Sequence, residues 1–298
     1  MVRVVAVVRH GAGALKGPRG PSSAVTAFAA RSSYAAGLSV PALTRSPCGR
    51  NSPRAAGVDA RQQKHARACK RHSSGRPVMK IGIIGAGNIG GNLTRRLTAL
   101  GHDVSVANSR GPETLKALAE ETGATAVRAE DAAKGAQVVV VTVPVKAVPN
   151  LPSGLLDGAA EGAAVIDTGN YYPRERDGRI AGIEDEGVTE SRWTERHLGH
   201  PVIKVFNGTY AQDILDRPRP AGDPERLAVP VAGDDEQAKR TVRALVDELG
   251  FDTVDAGGLD DSWRQQPGTP VYGLRAGVEG VKKALAEASR ERPADFRG

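Results

Sequence analysis

The sequence predicts an α/β fold over residues 79–298, a doubly wound parallel sheet with helices on both faces. Three observations carry this. Apolar strands and amphipathic helices alternate along the stretch, the run Val138-Val139-Val140-Val141 is apolar on both faces, and a glycine-rich turn joins the first strand to the first helix. Strand–helix alternation is what a parallel sheet requires, because each crossover must carry the chain back along the sheet. A strand apolar on both faces belongs between two helical layers.

The first strand is expected at 80–84. A helix at 88–100 follows, with Ile89, Leu93, Leu97 and Leu100 on one face, Arg95 and Arg96 on the other, and Gly101 as its stop. Then come a strand at 104–107, a helix at 113–121, a short strand at 126–127 and the central strand at 137–143. Two more strands are expected at 164–167 and 202–206. The last unit has a strand at 227–231, a helix at 234–249 and a strand at 251–254, and a short helix at 272–288 precedes a charged tail. This divides the body into a sheet domain, 79–206, and a small C-terminal α/β extension, 207–298.

Residues 1–78 have another texture. They are rich in Ala, Gly, Pro, Ser and Arg, lack a helical or strand period, and hold Gly17-Pro18, Gly20-Pro21 and Ser46-Pro47. Such a segment buries too little apolar surface to offset its ordering entropy, so a disordered basic leader is expected. Three origins stay open: an upstream stretch with Met79 as the working initiator, a transit-like leader rich in Arg and Ser, or a basic arm that meets a polyanion. The bias towards residues with GC-rich codons favours the first. The net charge of +7 belongs to this leader, which holds 14 Lys and Arg against Asp59 alone and leaves 27 basic and 33 acidic residues beyond it. A mildly acidic body argues against nucleic acid as a partner. Both cysteines, Cys48 and Cys69, also precede Met79, which excludes a disulfide framework or thiolate metal site from the body. The longest apolar runs, 138–143 and 4–8, are too short to span a bilayer. No membrane partner and a cytoplasmic location are expected.

The strongest motif is Gly85-Ala86-Gly87-Asn88-Ile89-Gly90. Alone, such a string means little in a chain with 36 glycines. Its place directly after a strand and before a helix makes it the phosphate-binding turn of a Rossmann-type dinucleotide site rather than a merely structural turn. Gly85 suits the tight turn, Gly87 lets backbone approach a pyrophosphate, and Gly90 lets the helix pack closely on the strand. Free N–H groups of the first helical turn then meet the phosphates.

The cofactor is chosen at the end of the second strand. Sites specific for NAD carry an Asp or Glu there, about 20 residues on, for the ribose hydroxyls. This chain has Asn108-Ser109-Arg110 instead. No carboxylate repels a 2′-phosphate, Arg110 offers a charge-assisted fork, and Ser109 and Asn108 add neutral donors. NADP(H) is therefore expected, the alternative being that Arg110 only solvates a loop.

With these residues in view the body resembles a known group, the dinucleotide-binding enzymes related to NADPH-dependent coenzyme F420 reductases. The strings MKIGIIGAGNIGGNL from Met79, ANSRGPETL from Ala107, VVVVTVPV from Val138, VIKVFN from Val202 and SWRQQPGTPVY from Ser262 carry it. The resemblance implies a Rossmann domain, an extension that shapes the second ligand's cleft, and a homodimer. It also departs from the pattern. A Lys often lies one turn beyond the Ser-Arg pair in such reductases, where this chain has Thr114, with Lys116 two further on.

Ligands of open α/β sheets bind beyond the carboxyl ends of the strands. Val143 and Pro144 are thus candidates for the edge of the nicotinamide ring, and Asn170 or Asn207 for its carboxamide, with Thr209 nearby. Ordinary turn chemistry is the alternative for Asn and Gly. Trp263, Arg264 and Gln265 form the densest polar-aromatic loop and are candidates to cover the second substrate, Trp263 as a platform; a loop anchored in a secondary core is the alternative. His197, His200 and Glu195 make a thin metal case, so no metal is expected. His102 is expected to serve its turn, and Lys204, within a strand, to be paired or to face outward rather than do amine chemistry.

No Tyr-x-x-x-Lys pair appears, since Tyr171, Tyr172, Tyr210 and Tyr272 are followed four residues later by Glu175, Arg176, Ile214 and Ala276. The reading is an NADP(H)-dependent oxidoreductase passing a hydride to a small, planar acceptor, with coenzyme F420 one candidate. Catalysis would then rest on orientation and exclusion of water. The alternatives are a reductase of a quinone, flavin, metal chelate or imine, and a non-catalytic NADP(H)-binding redox sensor.

Overall fold

The computed structural model describes residues 77–298, which lie within one compact unit. The expected leader, 1–78, falls almost wholly outside the described residues. The expected boundary between 206 and 207 is not a break between separate units.

Six parallel strands form the main sheet: β1 Lys80–Ile84, β2 Asp103–Ala107, β3 Thr125–Ala126, β4 Val138–Val141, β5 Ala164–Asp167 and β6 Ile203–Lys204. Their spatial order is β3-β2-β1-β4-β5-β6, the order of a dinucleotide-binding sheet whose direction of winding reverses between β1 and β4. The reversal matters because the loops after β1 and β4 diverge there and leave a crevice. In register, Ile81 pairs with Val104 on one side and Val138 on the other. Alternate strand residues feed opposite layers. Ile81, Ile83, Val138 and Val140 pack with Leu93 and Leu97 of helix α1 (Asn88–Ala99), while Ile84, Val139, Val141 and Val165 pack with Ala132, Ala133 and Ala136 on the other face.

Helices α2 (Lys116–Thr122) and α3 (Ala129–Ala132) complete the first half, and α4 (Ala181–Glu184), α5 (Glu190–Leu198) and α6 (Asp213–Asp216) follow the central strands. In the extension, β7 (Ala228–Val231) and β8 (Asp252–Asp255) form a second parallel pair, joined by α7 (Glu236–Leu249). Asp235 caps α7 by accepting from the N–H groups of Gln237 and Ala238. Its buried face, Ala238, Val242, Leu245, Val246 and Leu249, enters the same core as Ile81 and Val104. A bridge between Lys204 and Ala232 ties the pair to the edge of β6. Helix α8 (Val278–Ala286) packs on β7 and β8. No helix among the described residues is long and apolar enough to cross a membrane.

Two expected elements differ in their bounds, and one helix was not expected. The strand at 202–206 shrinks to Ile203–Lys204, because Phe206 takes a left-handed backbone, φ 65°, and leaves the ladder. The last helix begins at Val278 rather than 272, as Gly273 and Gly277 interrupt the pattern and Gly277 becomes the N-cap. Helix α5 escapes a periodicity reading because Glu190, Ser191 and Thr194, all polar, fill much of its buried face. Its cap signals were present, with the Thr189 side chain accepting from Arg192 N–H and Gly199 at the C-cap.

Candidate cofactor and acceptor site

A cleft of about 760 Å³ opens at the carboxyl ends of β1, β2 and β4, between Gly85-Ala86-Gly87, Asn108-Ser109-Arg110, Arg128 and Glu130, and Val143-Pro144 with Asn150, Leu151 and Pro152. The three motif glycines have three separate physical reasons. Gly85 holds φ 108°, and a Cβ there would lie 2.3 Å from the Thr142 carbonyl oxygen. A Cβ on Gly90 would lie 1.9 Å from the Gly85 carbonyl oxygen and 2.7 Å from Thr142 Cγ2, so this glycine sets the approach of α1 to the sheet. Gly87 is different, since a Cβ there would meet nothing within 4 Å. Its bareness serves no packing in the chain and leaves the cleft open beside the N-terminus of α1. That helix start has no side-chain cap and no acidic residue in its first turn. Asn88 is exposed and Ile89 half-buried on this turn. A pyrophosphate fits this cradle: free N–H groups, a favourable dipole and no Cβ in the way.

The loop after β2 is pre-shaped. Asn108 Oδ1 accepts from the Arg110 N–H at 2.9 Å, Asn108 Nδ2 donates to Thr114 Oγ1 at 2.9 Å, and Thr114 Oγ1 donates to the Gly111 carbonyl at 2.8 Å. Thr114, which stands where related reductases often have a Lys, locks the loop. Asn108 is half-buried, and Ser109 and Arg110 are exposed. The Arg110 guanidinium has no hydrogen-bond or ion-pair partner among the described residues. Arg128 shares the same cleft and is equally unpaired, a residue that sequence reasoning missed. Its signal was topological: it lies just beyond β3, the neighbour of β2, so it has to border the same crevice.

Beyond β5 the backbone is held by buried polar groups. Asp167 accepts from Ser191 Oγ at 2.6 Å and from the Gly169 N–H at 2.9 Å. Lys204, 1 % exposed, donates through Nζ to the Gly169 carbonyl at 2.9 Å and pairs with Glu190 Oε2 at 3.3 Å. Glu190, itself 2 % exposed, receives Arg292 Nη2 on its other oxygen at 2.9 Å. Lys204 is therefore paired, as expected of it. Asn170 and Asn207 meet here: Asn170 Nδ2 donates to the Asn207 carbonyl at 2.7 Å, and Asn207 Nδ2 donates to Asn170 Oδ1 at 3.0 Å. Gln265 closes the network by donating through Nε2 to Asn207 Oδ1 at 3.0 Å. Phe206, immediately before Asn207, is the one non-glycine with positive φ among the described residues. Strain of this kind persists where surrounding contacts over-determine the backbone.

The structure divides the loop that was expected to cover the second substrate. Residues Leu259–Gln265 form a 3-10 turn, in which positions three apart eclipse. Ser262 and Gln265 share the buried side, and Gln265 reaches the Asn170–Asn207 pair. Trp263 and Arg264 face elsewhere. Trp263 lines a separate cavity of about 270 Å³ with Ile183, Val188 and Arg292, and Arg264 stacks on Trp263 with Cζ 4.5 Å from the ring centre. Neither lines the cofactor cleft. Thr209 is half-buried beside a small recess with Phe206, Asn207 and Gln265. His197 Nδ1 pairs with the Trp193 carbonyl oxygen at 2.8 Å, and among the described residues no three His, Cys, Asp or Glu gather at one point.

The structure also joins Tyr172 to Tyr272, hydroxyl to hydroxyl, across 100 residues of sequence. No spacing rule could have found this pair. Burial and the Tyr272 hydroxyl raise the Tyr172 hydroxyl well above the usual tyrosine range, with Arg176 opposing. The Arg176 guanidinium lies over the Tyr172 ring, Cζ 5.1 Å from its centre.

Fold and cleft together define a Rossmann-type dinucleotide-binding protein. Residues 80–171, the segment that carries the glycine turn, Asn108-Ser109-Arg110, β4 and β5, match the family described as NADP oxidoreductase, coenzyme F420-dependent. The chain is similar in structure to the hypothetical protein SMa0349 from Sinorhizobium meliloti, at 29% identity and a TM-score of 0.56, covering 68% of this chain and 96% of that one. It is 51% identical over 60 residues to the protein YjhV of Escherichia coli (strain K12), 20% of this chain and 44% of that one. It is 28% identical over 180 residues to the metalloreductase STEAP3 of Rattus norvegicus, 60% of this chain and 34% of that one. The chain spans less than half the length of these two curated relatives.

Proposed function

We propose that the protein is an NADP(H)-dependent oxidoreductase that passes a hydride between the nicotinamide and a small acceptor. The observation that carries this is the cleft itself. Gly87 leaves its side bare at the N-terminus of α1, and two guanidiniums without a partner among the described residues, Arg110 after β2 and Arg128 after β3, border the cleft together with the carboxylates of Glu113 and Glu130. When bound, NADPH supplies the hydride. The chain's groups bind, orient and exclude water: the first turn of α1 takes the pyrophosphate, and Arg110, Ser109 and Arg128 take the 2′-phosphate. Val143 and Pro144, which line the cleft, bound the ring in this reading.

Coenzyme F420, present in the family's description, is one acceptor in this reading, and the name of STEAP3 adds metal chelates as another class. Calorimetry with NADPH and NADH, followed by NADPH consumption with F420, a quinone, a cyclic imine and a ferric chelate, tests the proposal. The expected result is tighter binding of NADPH and turnover with at least one acceptor. Binding without turnover would instead make the protein a redox sensor, and no binding would refute both. We propose further that it works as a homodimer, which light scattering of the full chain measures.

A further inference from the structure

Tyr172 follows β5 by five residues, and its hydroxyl meets that of Tyr272. Tyr272 packs against Gly208, whose Cβ, if present, would lie 3.5 Å from Tyr272 Cα, and Gly273 N–H donates to the Gly208 carbonyl at 3.1 Å. Gly208 follows Asn207, so the hydroxyl pair adjoins the Asn170–Asn207 network at the ends of β5 and β6. The same turn reaches the cofactor half, because Asn92 Nδ2 on α1 donates to the Ala211 carbonyl at 2.8 Å. Between these ties stands Tyr210, 52 % exposed, with the Arg275 guanidinium stacked 4.5 Å from its ring centre. Two stacked tyrosines and a hydroxyl pair therefore gather beyond the carboxyl ends of β5 and β6, on the same edge of the sheet at which the cleft opens beyond β1, β2 and β4.

We propose that the Tyr172–Tyr272 pair is the proton donor of this site, and that the acceptor is an organic molecule with a conjugated carbonyl or imine. The inference rests on the oxidoreductase reading above. Reduction of a C=O or C=N group by two electrons places a hydride on carbon and requires one proton on the heteroatom. The reduced nicotinamide is the hydride source and ends oxidised. As the heteroatom gains electron density, the Tyr172 O–H bond breaks and a new O–H or N–H bond forms on the acceptor. Tyr272 then gives its proton to the Tyr172 oxygen and recovers one from solvent, so the balance is one acceptor, one hydride and one solvent proton.

The surroundings suit a donor that stays protonated until used. Facing Tyr172 are Tyr272 from the 271–275 turn, Arg176 and Asp177 from the turn after β5, Glu190 from the start of α5, and the ring of Phe296. Glu190 is bound to Lys204 and Arg292, and Asp177 to Arg176. No neighbouring carboxylate is free to take the proton. A metal chelate, which takes electrons alone, would give the pair no task.

The test is Tyr172→Phe and Tyr272→Phe in the full chain. Turnover of a conjugated aldehyde and of a cyclic imine should fall about 100- to 10,000-fold in Tyr172→Phe, the range for loss of a general acid, and less in Tyr272→Phe. NADPH affinity by calorimetry and the unfolding midpoint should stay at their wild-type values, which separates lost chemistry from lost folding. The solvent isotope effect on turnover should change in both variants. In resting protein, ultraviolet titration of tyrosinate should show the last tyrosine to ionise doing so at lower pH in Tyr272→Phe. Wild-type turnover in Tyr172→Phe would overturn the inference. So would a wild-type protein that reduces only the ferric chelate, although the oxidoreductase reading would then stand. Failure to bind NADPH at all would overturn both.

Discussion

Gly87 and Gly90 sit three residues apart in one motif, yet their replacement by Ala should fail in opposite ways. At Gly90 the new methyl would lie 1.9 Å from the Gly85 carbonyl oxygen and 2.7 Å from Thr142 Cγ2. Non-bonded heavy atoms rest at about 3.5–4.0 Å, so helix α1 or the turn has to move by roughly 1–2 Å. Overpacking of this kind costs about 1–3 kcal/mol, sometimes more, against a gain of up to ~1 kcal/mol from Ala in a helix. A net loss of about 2 kcal/mol lowers the unfolding midpoint by about 4–8 °C in a domain of this size. At Gly87 the methyl enters open space, and φ −74° with ψ −162° suits Ala. Reduced unfolded-state entropy, about 0.4–1 kcal/mol, and a poorer N-cap, of similar size, cancel. The fold should be untouched, while NADPH affinity drops by about 1.5–3 kcal/mol for a lost charge-assisted contact, roughly 10- to 150-fold. Thermal unfolding with and without NADPH reads both effects, because ligand stabilisation follows the logarithm of concentration over Kd. Wild-type NADPH affinity in Gly87→Ala would refute the pyrophosphate cradle, and a wild-type midpoint in Gly90→Ala would refute the packing account.

Three further perturbations address the rest of the site and its support. Arg110→Ala should weaken NADPH by about 1.5–3 kcal/mol and NADH much less; equal losses by calorimetry would show that Arg110 does not read the 2′-phosphate. Glu190→Gln leaves the buried Lys204 and the half-buried Arg292 without their shared carboxylate, so about 3–5 kcal/mol of stability should vanish in a denaturant titration; a loss under about 1 kcal/mol would mean that the triad is not needed. Burial works to raise the Asp234 carboxyl, but the Leu259 N–H and the Arg192 guanidinium outweigh it and hold the group below the usual carboxylate range. A depressed folded value gives stability that is present above the unfolded value of about 3.9 and is lost as pH falls through the folded one. Asp234→Asn should therefore lower the unfolding midpoint at pH 7 and converge with the wild type in acid, and a gap that persists in acid would contradict the ion-pair account.

The cofactor half was readable because it is written in consecutive residues. The turn at Gly85–Gly90 takes its meaning from the strand before and the helix after, and Asn108-Ser109-Arg110 from its distance along the chain. Even so, Arg128 needed the strand order, since nothing local marks a residue after a two-residue strand. Core strands were legible where one face or both were continuously apolar, as in β4 and β5. Helix α5 was not, because its buried face carries Glu190, Ser191 and Thr194, whose burial is made tolerable by Lys204, Arg292 and Asp167 from distant parts of the chain. Polar groups satisfied by tertiary partners look like surface in a linear reading.

The region proposed to face the acceptor is built the opposite way. Asn170 joins Asn207 across 37 residues, Asn207 joins Gln265 across 58, and Tyr172 joins Tyr272 across 100. Each contact depends on where the extension lays its loops over the sheet, which local propensity does not determine. Within the loop at 259–265, composition does not show which side chains turn inward: the 3-10 turn buries Ser262 and Gln265 and sends Trp263 and Arg264 elsewhere. The two halves therefore answer to different changes. Substitutions in the 271–275 turn act through Tyr272 and Arg275 and leave Gly85, Gly87, Gly90 and Arg110 in place, so under the proposed function they should change acceptor turnover without changing NADPH affinity.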